Sequence, residues 1–240
     1  MNTNKLYIFV LISVICNLQF AFSQTIINSP YSRYGLGELQ YGDFANNTGM
    51  GGIANALQND TTAPFHLNHS NPASLPYMRL TSFDLGLINN TSEMENKDKK
   101  FSDNHTAISY LAFAFPVTKW WSSGFGLLPY SNVGYKIYDK KEIDSIGTVN
   151  YSYEGEGGIN QVFWGNGFRI KNFSAGVNVS YLFGDLTFLS RDSFPKTLHF
   201  FNTKIVQTTN IGDLYYTFGM QYRHPLKKNW SLTFGATGSC

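Results

Sequence analysis

FSAGVNVSYLF, residues 173–183, alternates without a lapse. Phe173, Ala175, Val177, Val179, Tyr181 and Phe183 fall on one side, against Ser174, Gly176, Asn178, Ser180 and Leu182 on the other. A two-residue period sends successive side chains to opposite faces of a strand, so this one has an apolar face and a face of mostly small, polar residues. Its neighbours repeat the pattern. Lys171 and Asn172 form a tight turn back to residues 160–170, where Val162, Trp164, Phe168 and Ile170 share a face. Asn166 breaks that face, so a bulge or a different register is expected there. On the other side, residues 211–222 carry a stripe of Leu214, Tyr216, Phe218, Met220 and Tyr222.

Working outward, residues 79–87, 106–115, 120–128 and 230–236 read as four further strands, giving seven in all. The connections alternate in length. Residues 89–104, 129–158 and 184–210 read as long loops, the second with an extended hairpin inside it, whereas 116–119, 171–172 and 225–229 are short turns. No apolar stripe carries a charge; Asp84, Arg169, Asp213 and Arg223 sit on the opposite face or at strand ends. Short turns at one end, long loops at the other and uncharged stripes are the marks of an outer-membrane β-barrel, where a midplane Arg or Lys facing lipid costs about 2–4 kcal/mol. A soluble sandwich would also alternate, but would set Lys and Glu on its wet face, not Ser, Gly and Asn. The fold class expected is therefore all-β, a transmembrane antiparallel barrel.

Composition agrees. Aromatic residues make up 16% and charged residues only 14% of the chain, yet mean hydropathy is −0.20, too polar for a helical membrane protein. The net charge of +2 and the lack of a basic stripe argue against nucleic acid. Lys5, the apolar run at residues 6–18 and the exit Ala21-Phe22-Ser23 read as a secretion signal cleaved after Ser23. Cys16 lies within that leader and Cys240 is the last residue, so the mature chain has no internal disulfide to form.

Residues 48–76, TGMGGIANALQNDTTAPFHLNHSNPASLP, have neither period. They read as compact irregular structure with a short helical piece near 51–57. Gly51 and Gly52 after Met50, then Asn71-Pro72-Ala73, resemble the N-terminal hatch of the FadL/TodX family of outer-membrane barrels. The resemblance implies a plug inside the barrel (residues 24–78, lead-in included), a barrel of fourteen strands, and a lumen that passes hydrophobic solutes. Residues 79–240 would then be the first half of that barrel, in a chain truncated at its C-terminus. In that family the hatch triplet lies against an irregularity in the third strand, where substrate leaves sideways into the membrane. The third strand here has Gly124, Gly126 and Pro129; glycine permits a kink and proline removes a ladder donor. These glycines either open such a gap or make room for the hatch.

Candidate chemistry is sparse. His66 and His69 have ligand-like spacing without a Cys or carboxylate neighbour, and a hydrogen-bonded structural role is the simpler reading. Glu154 and Glu156 could form an acid/base pair or a solvated loop, and Lys97, Lys99 and Lys100 could meet lipopolysaccharide phosphates or only water. No nucleophile motif is present, so neither enzymatic activity nor a cofactor or metal is expected. Two functions follow from the resemblance. One is uptake of hydrophobic small molecules such as long-chain fatty acids, with Phe101, Tyr135, Tyr138, Phe194, Phe200 and Phe201 as pocket residues or as plain loop packing. The other is that of the PorV-type barrels of Bacteroidetes secretion machinery, which are similar to FadL but bind exported proteins. The location expected under both is the Gram-negative outer membrane, with its lipid as a partner.

Overall fold

The computed structural model describes residues 29–40, 44–59, 65–96, 99–144, 147–194, 201–226 and 230–240. The leader read at residues 1–23 lies outside them, as does Phe200. The strands are β1 (Glu38–Leu39), β2 (Ser82–Asn96), β3 (Lys99–Pro116), β4 (Trp121–Ile143), β5 (Gly147–Ile170), β6 (Phe173–Ser193), β7 (Thr203–Pro225) and β8 (Ser231–Ser239). β2 to β8 pair in sequence order, each antiparallel to the next, and the sheet curls into a half-barrel. The seven strands read from the sequence are these seven. Among the described residues no helix is long and apolar enough to cross a membrane.

The register aligns the apolar stripes into rows that cross the sheet. Leu85, Leu111, Leu127, Val162, Tyr181 and Leu214 are partners on six successive strands, and all are exposed. Two positions below runs Phe83, Phe113, Phe125, Trp164, Val179 and Tyr216. The lower edge is Ile170, Phe173, Tyr222 and Phe234. From Val162 to Ile170 a strand rises roughly 26 Å at 3.3 Å per residue, close to the lipid-facing band of about 25 Å on an outer-membrane barrel. So large an exposed apolar surface on a monomer calls for a cover, and here its shape is that of a hydrocarbon layer.

The long loops are corrected, although the hairpin expected inside residues 129–158 is present. β2 and β3 run through residues 89–104, β4 and β5 through most of 129–158, and β6 and β7 enter 184–210 from both ends. Above the apolar band the pairing continues with polar partners: Asn89 Nδ2 donates to Asn104 Oδ1 at 2.9 Å, and the Thr187 and Thr208 hydroxyls meet at 3.3 Å. Strand pairing needs the backbone and an extended chain, not an apolar stripe, and a stripe has no purpose outside lipid. Asn166 is corrected too. The register runs unbroken past it, and its side chain, on the apolar face, accepts the Trp121 indole N–H at 3.1 Å.

The concave face holds the segment that precedes β2. The helical piece is α1 (Ala45–Gly49), ahead of the expected 51–57. Gly51 and Gly52 have φ of +75° and +80°, a left-handed backbone that ends a right-handed helix and favours glycine. A 3-10 helix, Pro72–Tyr77, follows and is buried along its whole length. Phe44, Leu67, Leu75 and Met78 from this segment pack with Tyr110, Ala112, Ala114, Leu128 and Phe163 from the sheet, forming the core.

Candidate functional site

Asn71 starts the buried 3-10 helix. Its Oδ1 accepts the Ala73 N–H at 3.0 Å, its carbonyl accepts the Ser74 hydroxyl at 2.8 Å, and Pro72 occupies the first position, where no N–H is needed. Its Nδ2 reaches back to the Asn55 carbonyl at 2.6 Å. The triplet read from the sequence is thus a helix start whose side chain also ties the two halves of the segment together.

Beneath it lies a row of glycines. Gly167, Gly176 and Gly219 are register partners on β5, β6 and β7. A Cβ on Gly167 or on Gly176 would come within 2.6 Å of the Pro72 carbonyl oxygen, and one on Gly219 would overlap Asn71 Oδ1. The sheet therefore offers bare backbone where the 3-10 helix crosses it. Polar side chains flank the row and bond the segment: Asn178 Nδ2 donates to the His69 carbonyl at 2.8 Å, and Gln221 Nε2 donates to the Asn55 and Leu57 carbonyls at 2.8 and 3.1 Å. Asn178 and Gln221 are 1% exposed, so each bond shields a backbone carbonyl with no water to replace it. Phe44 stacks on Tyr110 with ring centroids 4.3 Å apart, and the Tyr110 hydroxyl accepts the Ala45 N–H at 3.1 Å.

The tightest neighbours of Gly124 and Gly126 are on adjacent strands. A side chain on Gly124 would press on Ala114, and one on Gly126 on the Phe163 ring. Both make room for neighbouring strands. The irregularity comes at the next residue singled out: the β4–β5 register shifts between Pro129 and Ser131.

At that level the wall parts. β3 pairs with β4 only from Leu111–Leu127 to Pro116–Ser122. Above Leu127 the lead-in stands where β3 would be. Gln40 N donates to the Tyr130 carbonyl at 2.9 Å, Glu38 and Leu39 pair with Asn132 and Ser131, and Ser29 N donates to the Gly134 carbonyl at 3.2 Å. The Arg33 guanidinium lies 5.0 Å over the Tyr153 ring. Behind the lead-in, Val133, Tyr135, Ile159 and Leu186 form a second apolar cluster. Burial pushes the Tyr135 phenol up, with the charge of Arg33 opposing.

The described ligand-pocket candidates differ in their surroundings. Tyr135 is buried in that second cluster, whereas Tyr138 is exposed with the Lys136 ammonium 5.6 Å over its ring. Phe201 is 94% exposed, and Phe194 is half-buried with its N–H donating to Asn202 Oδ1. Phe101 lies in β3, on the neighbouring hairpin. His66 Nδ1 lies 3.3 Å from Asn46 Nδ2, and the His69 ring meets Phe163 edge-on at 4.4 Å. Glu154 belongs to β5 and pairs with Lys136 at 3.2 Å. Among the described residues no group of three or more His, Cys, Asp or Glu is placed to hold a metal.

The glycine row and Gln221 were not anticipated, since only the strand register aligns these positions beneath the 3-10 helix.

A family model described as BamG matches residues 4–240. The chain belongs to the BamG family. No curated protein and no solved structure matches it. The match spans the lead-in, the inner segment and all seven long strands, so the family is defined over the arrangement just described.

Proposed function

We propose that the protein is an outer-membrane β-barrel that serves as an interaction and assembly component, binding other proteins through hairpins that rise above the membrane. The observation that carries this reading is strand length. β4, β5, β6 and β7 have 23, 24, 21 and 23 residues, where about 9–11 tilted residues cross a bilayer. About a dozen residues of each strand, roughly 40 Å at 3.3 Å per residue, are paired beyond the apolar band. A small-molecule channel needs loops there; a stiff, paired wall suits a protein partner. The BamG name, one related to outer-membrane assembly, supports the same reading, and the buried polar seat of the inner segment suits a fixed plug. Photo-crosslinkers at Lys140 and Thr208 of the full-length protein, in intact outer membranes, should give discrete protein adducts, and one at Trp164 should give none beyond lipid. Adducts at Trp164 alone would sink the proposal.

A second reading, favoured by the parting of β3 from β4 at Pro129, is uptake of hydrophobic small molecules with lateral release, as the FadL resemblance implies. It requires the lead-in to leave the gap. A disulfide between residues 38 and 132 (Glu38→Cys, Asn132→Cys, with Cys240→Ser) would abolish uptake of a long-chain fatty acid if this reading holds, and uptake unaffected by the lock would exclude it.

A further inference from the structure

At the short-turn end of the sheet, a cavity of about 690 Å³ opens between the ends of β5, β6, β7 and β8. Three cations line it, Arg169, Lys171 and Arg223, with Tyr77 from the inner segment and Leu226 and Trp230 from the last turn. Among the described residues no acid lines it, and neither arginine has a carboxylate within ion-pair distance. Three unneutralised positive charges around one cavity repel one another, so the arrangement is favoured when an anion sits among them. A second feature points the same way. Tyr77 is 7% exposed, lines the cavity, and its buried hydroxyl has no hydrogen-bond partner among the described residues. A buried unpaired hydroxyl is costly and marks a missing acceptor.

Arg169 is held in place before any ligand arrives. Its guanidinium lies 5.0 Å over the Tyr77 ring, and Nη2 donates to the Lys119 carbonyl at 3.3 Å. Two arginines, an ammonium and a phenol line the one cavity and offer several donors suited to a group with several oxygens, and three positive charges match a doubly charged group better than a single carboxylate. We infer that this mouth binds a phosphomonoester, whose charge is about −1.5 to −2 at neutral pH. Leu226 and Trp230, both exposed, lie beside the lower edge of the apolar band, so the ester's remainder has an apolar wall to follow.

The test uses the full-length protein in a neutral detergent, titrated with dodecyl phosphate, dodecanoate and glycerol 3-phosphate. Dodecyl phosphate should bind about tenfold more tightly than dodecanoate, and Arg169→Gln with Arg223→Gln should weaken it at least about tenfold, as loss of charge-assisted hydrogen bonds does. Competition by glycerol 3-phosphate would assign a free ester as the source; failure to compete would assign a lipid headgroup. Tyr77→Phe removes only the unpartnered hydroxyl, leaves folding intact, and should also weaken binding. Equal binding of dodecanoate, or binding of dodecyl phosphate unchanged by both Tyr77→Phe and the arginine pair, would overturn the inference.

Discussion

The Pro72 carbonyl rests against the backbone of Gly176, so close that a Cβ there would lie 2.6 Å from the oxygen. Gly176 is flanked in register by Gly167 and Gly219, and the three admit the 3-10 helix to the sheet surface. Gly176→Val is therefore expected to displace the helix or strain the strand, costing about 1–3 kcal/mol as overpacking does. The urea midpoint of the folded band on unheated gels reads it. Ala175→Val, one residue along on the apolar face, is the control and should change little.

Asn71 makes two kinds of bond, accepting from Ala73 N and donating to the Asn55 carbonyl. Asn71→Ala loses both, and about 0.5–2 kcal/mol is expected for the cap alone. Asn71→Ser keeps a capping acceptor and loses the donor to Asn55, so its midpoint should fall between wild type and Asn71→Ala. Equal midpoints for the two variants would mean the cap contributes nothing, whereas a wild-type midpoint for the variant that keeps the acceptor would mean the Asn55 bond contributes nothing.

The strand pattern was legible in the sequence because the bilayer imposes it. A residue such as Val179 must be apolar and its neighbour Ser180 must fit the interior, so the period is written in the residues themselves. Above the band this constraint ends. Asn89 and Asn104 pair across a hairpin with side chains that also suit a loop, so those strands looked like loops, whereas the alternation of Val133, Tyr135 and Ile137 with Val149, Tyr151 and Tyr153 made the β4–β5 hairpin legible. The Asn71-Pro72-Ala73 start could be picked out, since a capping side chain before proline has few other uses. Its seat could not. Gly176 is one of twenty-two glycines, and only the register shows that it lies between Gly167 and Gly219. The pocket aromatics could not be told apart in the sequence: Tyr135 and Phe201 look alike in a chain so rich in aromatics, and burial separates them.

Phe218, in register through Val177 with Asn166, occupies the middle of the apolar band and is 53% exposed. Phe218→Arg should destabilise the folded barrel by about 2–4 kcal/mol in lipid vesicles, the midplane value for a lipid-facing arginine. Thr187→Arg, on the paired wall above the band, should cost less than about 0.5 kcal/mol. Equal costs would mean the rows do not face hydrocarbon.

Lys136 bonds Tyr138 and Glu154, and these hold its ammonium above the usual lysine value of 10.5. Because the folded-state pKa is the higher one, the contribution is complete below 10.5 and disappears as pH rises through the folded value. The pair is partly exposed, so about 0.2–1 kcal/mol is expected. Lys136→Met should be less stable than wild type near neutral pH, with the difference vanishing at strongly alkaline pH. A difference independent of pH would assign the effect to packing.

The central claim is that the wall above the membrane holds a protein partner. Its most direct test is affinity purification of the full-length protein from solubilised outer membranes, beside a variant in which an Asn-Gly turn replaces residues 136–154. The two ends, Tyr135 and Gly155, are register partners, so the shortened hairpin can close. The account predicts a stoichiometric complex for the intact protein and a folded, membrane-inserted but solitary barrel for the variant. Identical partners with and without the hairpin, or an intact protein that purifies alone with extractable lipid, would contradict it.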